Sequence, residues 1–241
     1  MMEALWFSSL TGAATLLGTM LVLRLKRFSL QWIACSLGLS ATVMLFVSLF
    51  EMLPTALKLC PSWIHLGIGM MMGLTLMESI HCFSEAGAGK KNAMDRDRRL
   101  GWVLSLAVIA HNFPEGAAIG VGFGVKPELG VTLALAMAVH NLPEGIGMAA
   151  PLLASGVRRR WIVLISLGAS GALPLGTWLG FYLLTGSLDW VAISLIFAAT
   201  AMIWVVTQEV FPRAMEISPK AARWGSVFGL LFSLMIHTLH G

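Results

Sequence analysis

The chain is predicted to be all-α: a polytopic membrane protein of eight transmembrane helices with both termini extracytoplasmic. Three observations carry this. Of its 241 residues, 57% are hydrophobic and only 12% charged, about half the charge of a soluble domain, and the mean hydropathy is +0.82. Eight apolar runs each reach the length of about 20 residues that spans a bilayer core. The basic residues alternate between the connections that join them. This composition excludes a water-soluble enzyme, a nucleic-acid binder and a disordered tail. The formal charge of +4 comes from short loops and not from a basic face, so no nucleic-acid partner is implied.

The runs lie near 4–23, 30–53, 62–84, 100–124, 129–154, 161–184, 190–212 and 223–240, and the whole chain, 1–241, reads as one integral-membrane domain. The first run follows Glu3 and precedes Arg24, Lys26 and Arg27. A signal peptide carries its positive charge ahead of the apolar stretch, so this run is expected to stay as span 1. The connections after spans 1, 3, 5 and 7 hold Arg24, Lys26, Arg27, Lys90, Lys91, Arg96, Arg98, Arg99, Arg158, Arg159, Arg160, Arg213, Lys220 and Arg223. The other connections hold Lys58 and Lys126. Basic loops stay cytoplasmic, which turns both termini outward and supports the count of eight. The one sizeable polar stretch, 85–99, is expected to be a mobile cytoplasmic loop. Cys35, Cys60 and Cys82 are scattered, which argues against a disulfide framework or a thiolate metal site.

One motif repeats. AHNFPEG (110–116) lies in span 4 and VHNLPEG (139–145) in span 5. The tight turn at Lys126-Pro127 makes the two spans antiparallel, and both copies fall near mid-span. In each, His and Glu are four residues apart and share a helix face: His111 with Glu115, His140 with Glu144. Asn112 and Asn141 sit beside them. Pro114 and Pro143 cannot donate to the carbonyls of Ala110 and Val139 and are expected to kink their helices. An ionised carboxylate at the centre of a membrane helix costs roughly 3 kcal/mol. Two carboxylates, two imidazoles and two carboxamides at one depth call for a compensating charge. Imidazole nitrogen and carboxylate oxygen suit zinc and other first-row divalent ions. The bland alternative is a pair of structural polar clamps, which would not require two near-identical copies facing each other. An intramembrane metal-dependent protease is the rival of another class. Its usual HExxH pattern is absent, for position i+1 is Asn and i+4 is Glu in both copies. No nucleotide-binding motif occurs.

The paired motifs resemble those of the ZIP (Zrt/Irt-like protein) family of metal-ion permeases, in its bacterial broad-range zinc-uptake branch. HNFPEG (111–116) is similar to the family's fourth-helix motif and HNLPEG (140–145) to its fifth. SLFEMLP (48–54) and QEVFP (208–212) resemble the endings of its second and seventh helices. The resemblance implies uptake of divalent cations into the cytoplasm across the bacterial inner membrane, with zinc as substrate and not cofactor, and with Fe²⁺, Mn²⁺, Co²⁺ and Cd²⁺ compatible. It implies movement of one helix group against another; the composition itself sets the chain in a lipid bilayer, and the sequence leaves the oligomeric state open, a homodimer included. The chain departs from the family at SGALPLG (170–176), where many members have a Glu before the proline. A second ion position, drawing on Asn112, Asn141 and shared Glu115 and Glu144, should therefore be weak.

Secondary candidates follow. Glu51, before Pro54, is placed at the entrance, with a solvated interface carboxylate as the plain alternative, and Glu209, before Pro212, at the exit, with an ion pair to Arg213 as the plain alternative. Glu78, His81, Cys82 and Glu85 cluster at the inner end of span 3, where a solvated helix end is the simpler reading. His237 and His240 stand at the outer end of span 8. His65 reads as interfacial, Met70–Met72 as lipid-facing or core packing, with methionine-lined copper capture as the sharper alternative, and some of the nine Trp as interface anchors.

Overall fold

The structure, a computed structural model, describes residues 1–24, 29–59, 62–85, 93–184 and 187–240. Ten α-helices and no strand occur among them: α1 (Met2–Arg24), α2 (Leu30–Val47), α3 (Leu53–Leu59), α4 (Trp63–Glu85), α5 (Ala93–Val125), α6 (Pro127–Ala154), α7 (Arg159–Leu183), α8 (Leu188–Val205), α9 (Phe211–Ile217) and α10 (Pro219–His240). One π turn (Ser48–Met52) joins α2 to α3 and another (Val206–Val210) joins α8 to α9, so each pair forms one rod. Seven of these rods among the described residues are long and apolar enough to cross a membrane. The chain is a multi-pass membrane protein. The run expected as the eighth span corresponds to α10, a 22-residue helix packed on α2, which is not among the seven found in the described residues.

The expected loop 85–99 differs at its second half. Helix α5 already starts at Ala93; Asp95 lies in its first turn, where a negative charge complements the helix dipole, and Asp97 is buried against Arg213. The remainder of that loop, with Lys90 and Lys91, lies outside the described residues, as do Lys26, Arg27 and Cys60.

The π turns have a local cause. Pro54 and Pro212 lack the N–H that would bond four residues back, and their rings crowd that carbonyl. The preceding turn widens instead: Leu53 N–H donates to Ser48 O and Phe211 N–H to Val206 O, each five residues back. These two turns expose a second repeat. Helix α2, its π turn and α3 recur as α8, its π turn and α9 at a constant displacement of 158 residues. Helices α1 and α7 match within one residue at that displacement, and α4 and α10 within three. Between the two halves stands the hairpin of α5 and α6, with its own motif displacement of 29 residues.

Packing follows this symmetry. Helices α1, α5, α6 and α7 form one bundle, while α10 lies on α2 and α4 on α8. The bundle meets the rest where α5 packs on α8 and α6 on α2. Helix α1 shows why a membrane fold results. Ser8, Thr11, Thr15 and Thr19 share its buried face, whereas Trp6, Leu10, Leu17 and Leu21 are exposed. Small and polar residues face neighbouring helices and large apolar ones face outward, as suits a lipid solvent.

Candidate metal site

Helices α5 and α6 are joined by Lys126 alone, whose extended backbone (φ −151°, ψ 130°) is followed by Pro127 in the first turn of α6, a position that tolerates proline. Fourteen residues separate His111 from the end of α5 and thirteen separate His140 from the start of α6. At 1.5 Å per residue both motifs stand about 20 Å from the turn, at one depth. The helices run through Pro114 and Pro143 without a break in either; the expected interruption is absorbed inside continuous helices.

Glycine sets the approach of the supporting helices. A Cβ on Gly116 would collide with the carbonyl of Leu173 on α7, and one on Gly145 with the carbonyl of Thr15 on α1. The same symmetry holds for the hydrogen bonds around them. Thr177 Oγ1 donates to Gly116 O at 2.9 Å, and Thr19 Oγ1 to Gly145 O at 3.3 Å. Asn112 Nδ2 donates to Ala169 O on α7 and Asn141 Nδ2 to Thr11 O on α1, both at 3.1 Å. Each amide is thereby turned so that its Oδ1 remains as an unused acceptor.

The structure brings together all six residues expected at the centre. His111, Asn112, Glu115, His140 and Asn141 are fully buried, and Glu144 is 2% exposed. The pairing is crossed. His111 Nε2 meets Glu144 Oε1, and His140 Nε2 lies 3.5 Å from Glu115 Oε1. Sharing one helix face suggests pairs within each motif; the antiparallel contact instead sets each imidazole against the carboxylate of the opposite helix. Both Glu115 oxygens, both His140 nitrogens, Glu144 Oε2 and the Oδ1 atoms of Asn112 and Asn141 have no hydrogen-bond partner. Buried polar atoms are ordinarily satisfied, and lone-pair donors of these kinds are the ones that suit a divalent cation. Among the described residues, no three His, Cys, Asp or Glu side chains stand at metal-holding distance; each carboxylate lies toward the imidazole of the opposite helix.

Other expected residues fall on either side. Glu51 and Glu209 occupy equivalent places in the two π turns. Glu51 Oε1 is 3.9 Å from His237 Nδ1. Glu209 accepts two bonds from Arg99 and meets His81, while Arg213 turns to Asp97 and Glu216; the simple pair with Arg213 does not describe Glu209. Glu78 accepts from Trp204 Nε1 at 3.0 Å, apart from the central site. Met70–Met72 are exposed, and His65 lies 3.5 Å from Asp189. The side chains of Glu85 and His240 lie outside the described residues. Sequence reasoning missed Thr15 and Ser170, whose hydroxyls are buried without partners beside the carbonyls that support the motifs. It also missed Ser40 and Met44, which with Glu144, Leu104 and Val210 line a void of about 10 Å³. The Ser/Thr spacing on α1 was the available signal for Thr15.

Fold and site together define a multi-pass helical membrane protein with a symmetric cluster of acids, imidazoles and amides closed into its core. The family described as ZIP Zinc transporter matches residues 82–237. A relative from Corynebacterium glutamicum, described as Zinc transporter ZupT, is 33% identical over 261 residues, covering 98% of this chain and 97% of the relative. One from Enterobacter sp. strain 638, under the same description, is 36% identical over 221 residues, covering 87% of this chain and 86% of the relative. The chain belongs to the ZIP family, a family of transporters and not of enzymes.

Proposed function

We propose that this protein carries Zn²⁺ into the cytoplasm of a bacterial cell. The single observation behind this reading is the set of nitrogen and oxygen atoms without a hydrogen-bond partner on six buried residues of two antiparallel helices. A dication at that depth replaces the missing hydrogen bonds and offsets two carboxylates. His111, Glu115, His140 and Glu144 hold the main ion. Asn112 and Asn141 border a weaker second position, since α7 has the buried apolar Leu173 before Pro174, where the family resemblance implies an acid. Glu51 draws ions toward the site and Glu209 receives them beyond it. Eight spans, with α10 as the last, sit in the inner membrane as one domain with both termini outside; the basic connections support that orientation.

The same donors suit Fe²⁺, Mn²⁺, Co²⁺ and Cd²⁺, which are expected to compete with zinc for uptake. The test is flux of radiolabelled zinc into sealed proteoliposomes containing the full chain. Time-dependent accumulation that cold Cd²⁺ suppresses is expected. Accumulation no faster than in protein-free vesicles would refute the proposal.

A further inference from the structure

The two ends of the molecule share a backbone design but not a charge design. At the end that carries the basic connections, Arg99 reaches from α5 to the π turn beyond α8. Its Nη1 donates to Glu209 Oε1 at 3.0 Å and its Nη2 to Oε2 at 2.8 Å. His81 Nδ1, on α4, lies 2.8 Å from the same Oε1. Both oxygens of a carboxylate that is only 4% exposed are thereby engaged. A second tier lies beside it: Arg213 Nη2 and Nε bond Asp97 Oδ1, Arg213 Nη1 bonds Glu216, and Arg96 reaches Glu216 at 3.6 Å. All these pairs except Arg213–Glu216 and His81–Glu209 tie α5, in the central bundle, to the surrounding rods. At the opposite end, the residue 29 positions after Arg99 is Glu128, exposed and of the wrong sign to hold Glu51.

Two voids lie along this seam. One, of about 10 Å³, touches Glu144, Leu104 and Val210. The other, of about 110 Å³, touches Arg99, Leu100 and Glu209. Leu100 and Leu104 are one helical turn apart and Glu209 and Val210 adjacent, so a barrier about one turn thick parts the site from the second void. Its far side is pinned by the Arg99 fork. Paired N–H···O bonds from guanidinium to carboxylate are both strong and geometrically exacting, which makes this contact a two-position device: formed, or absent.

We propose that Arg99 is the latch of the exit path: its fork on Glu209 holds the α5 bundle against the α8–α9 rod, and an ion leaves only when that fork opens. Arg99 acts as a positioning residue through Glu209. The inference rests on the transport reading above, and its test does not require zinc. In a full-length chain with Cys35, Cys60 and Cys82 replaced by serine, Leu104→Cys serves as reporter. Inside-out vesicles are treated with a charged, membrane-impermeant thiol reagent in metal-free buffer.

Arg99→Gln is expected to speed labelling of the reporter about five-fold or more, a modest shift of a two-state population. Glu209→Gln should do the same, and the double variant should add nothing, because residues of one contact are not additive. Arg99→Glu with Glu209→Arg rebuilds the pair and should return labelling toward the parent rate, which a merely misfolded protein would not do. Labelling of Arg99→Gln at the parent rate would overturn the latch, as would a double variant whose rate is the product of the two single effects. Zinc flux by the parent chain, measured separately, judges the transport reading alone.

Discussion

Glu51 and Glu209 are the same residue in the same turn of two matching rods, yet their surroundings differ. Glu209 is enclosed by a guanidinium and an imidazole at hydrogen-bond distance. The Glu51 side chain is 21% exposed and stands 3.9 Å from a half-exposed His237. Backbone symmetry gives the molecule two equivalent ends, and the side chains then make them unequal. A carrier with two identical ends would have no preferred resting state. At the Glu209 end, ion pairs from Arg96, Arg99 and Arg213 join α5 to the surrounding rods, and with Arg99 as the proposed latch these hold that end shut.

The central site should behave symmetrically, in contrast to the ends. Replacing Glu115 or Glu144 by Ala should each lower zinc flux by about 100-fold or more, since even residues supporting a metal ligand carry roughly 10–100-fold in affinity. Unequal effects would break the symmetry, and parent-like flux from both would refute the site. The ends should then part company: Glu209→Gln is expected to cut flux by about 10-fold, because an exit that no longer closes shifts the population away from the state that loads the ion, and Glu51→Gln by about 2-fold, as for a partly exposed pair. Equal losses would remove the distinction drawn between them.

Acidity provides a further comparison. An imidazole binds metal only when neutral, so protons compete with the ion and flux should fall as the outside pH drops below about 6, near the ordinary histidine range. A flux rising steadily to pH 5 would contradict this. The smallest effect concerns packing alone. Gly116→Ala and Gly145→Ala press a methyl against matching carbonyls on α7 and α1, and each should cost about 1–3 kcal/mol of stability, read as a similar lowering of the thermal midpoint in detergent.

The helices and the six central residues were legible because membrane burial makes polar side chains conspicuous: His111, Glu115, His140 and Glu144 stand out against an apolar background. The 158-residue repeat was not. Its halves share little beyond the spacings Glu51–Pro54 and Glu209–Pro212, and a lipid-facing helix accepts Leu, Ile, Phe or Met at most positions, so the sequence preserves almost no trace of a conserved backbone. Crossed pairing also escaped, since helical spacing reports which residues share a face but not which face meets it. Arg99 escaped for a different reason. Among Arg96, Arg98 and Arg99 each charge contributes equally to orientation, and only the return of the π turn at Val206–Val210 selects the one that forks onto Glu209.

On the proposed function, α5 and α6 bury imidazole and carboxylate to receive a dication. Crystals of the full chain grown with zinc, with diffraction recorded across the zinc absorption edge, test it most directly. An anomalous peak among His111, Glu115, His140 and Glu144 is the predicted result. No peak there, with His111 still on Glu144 and His140 still facing Glu115, would contradict it.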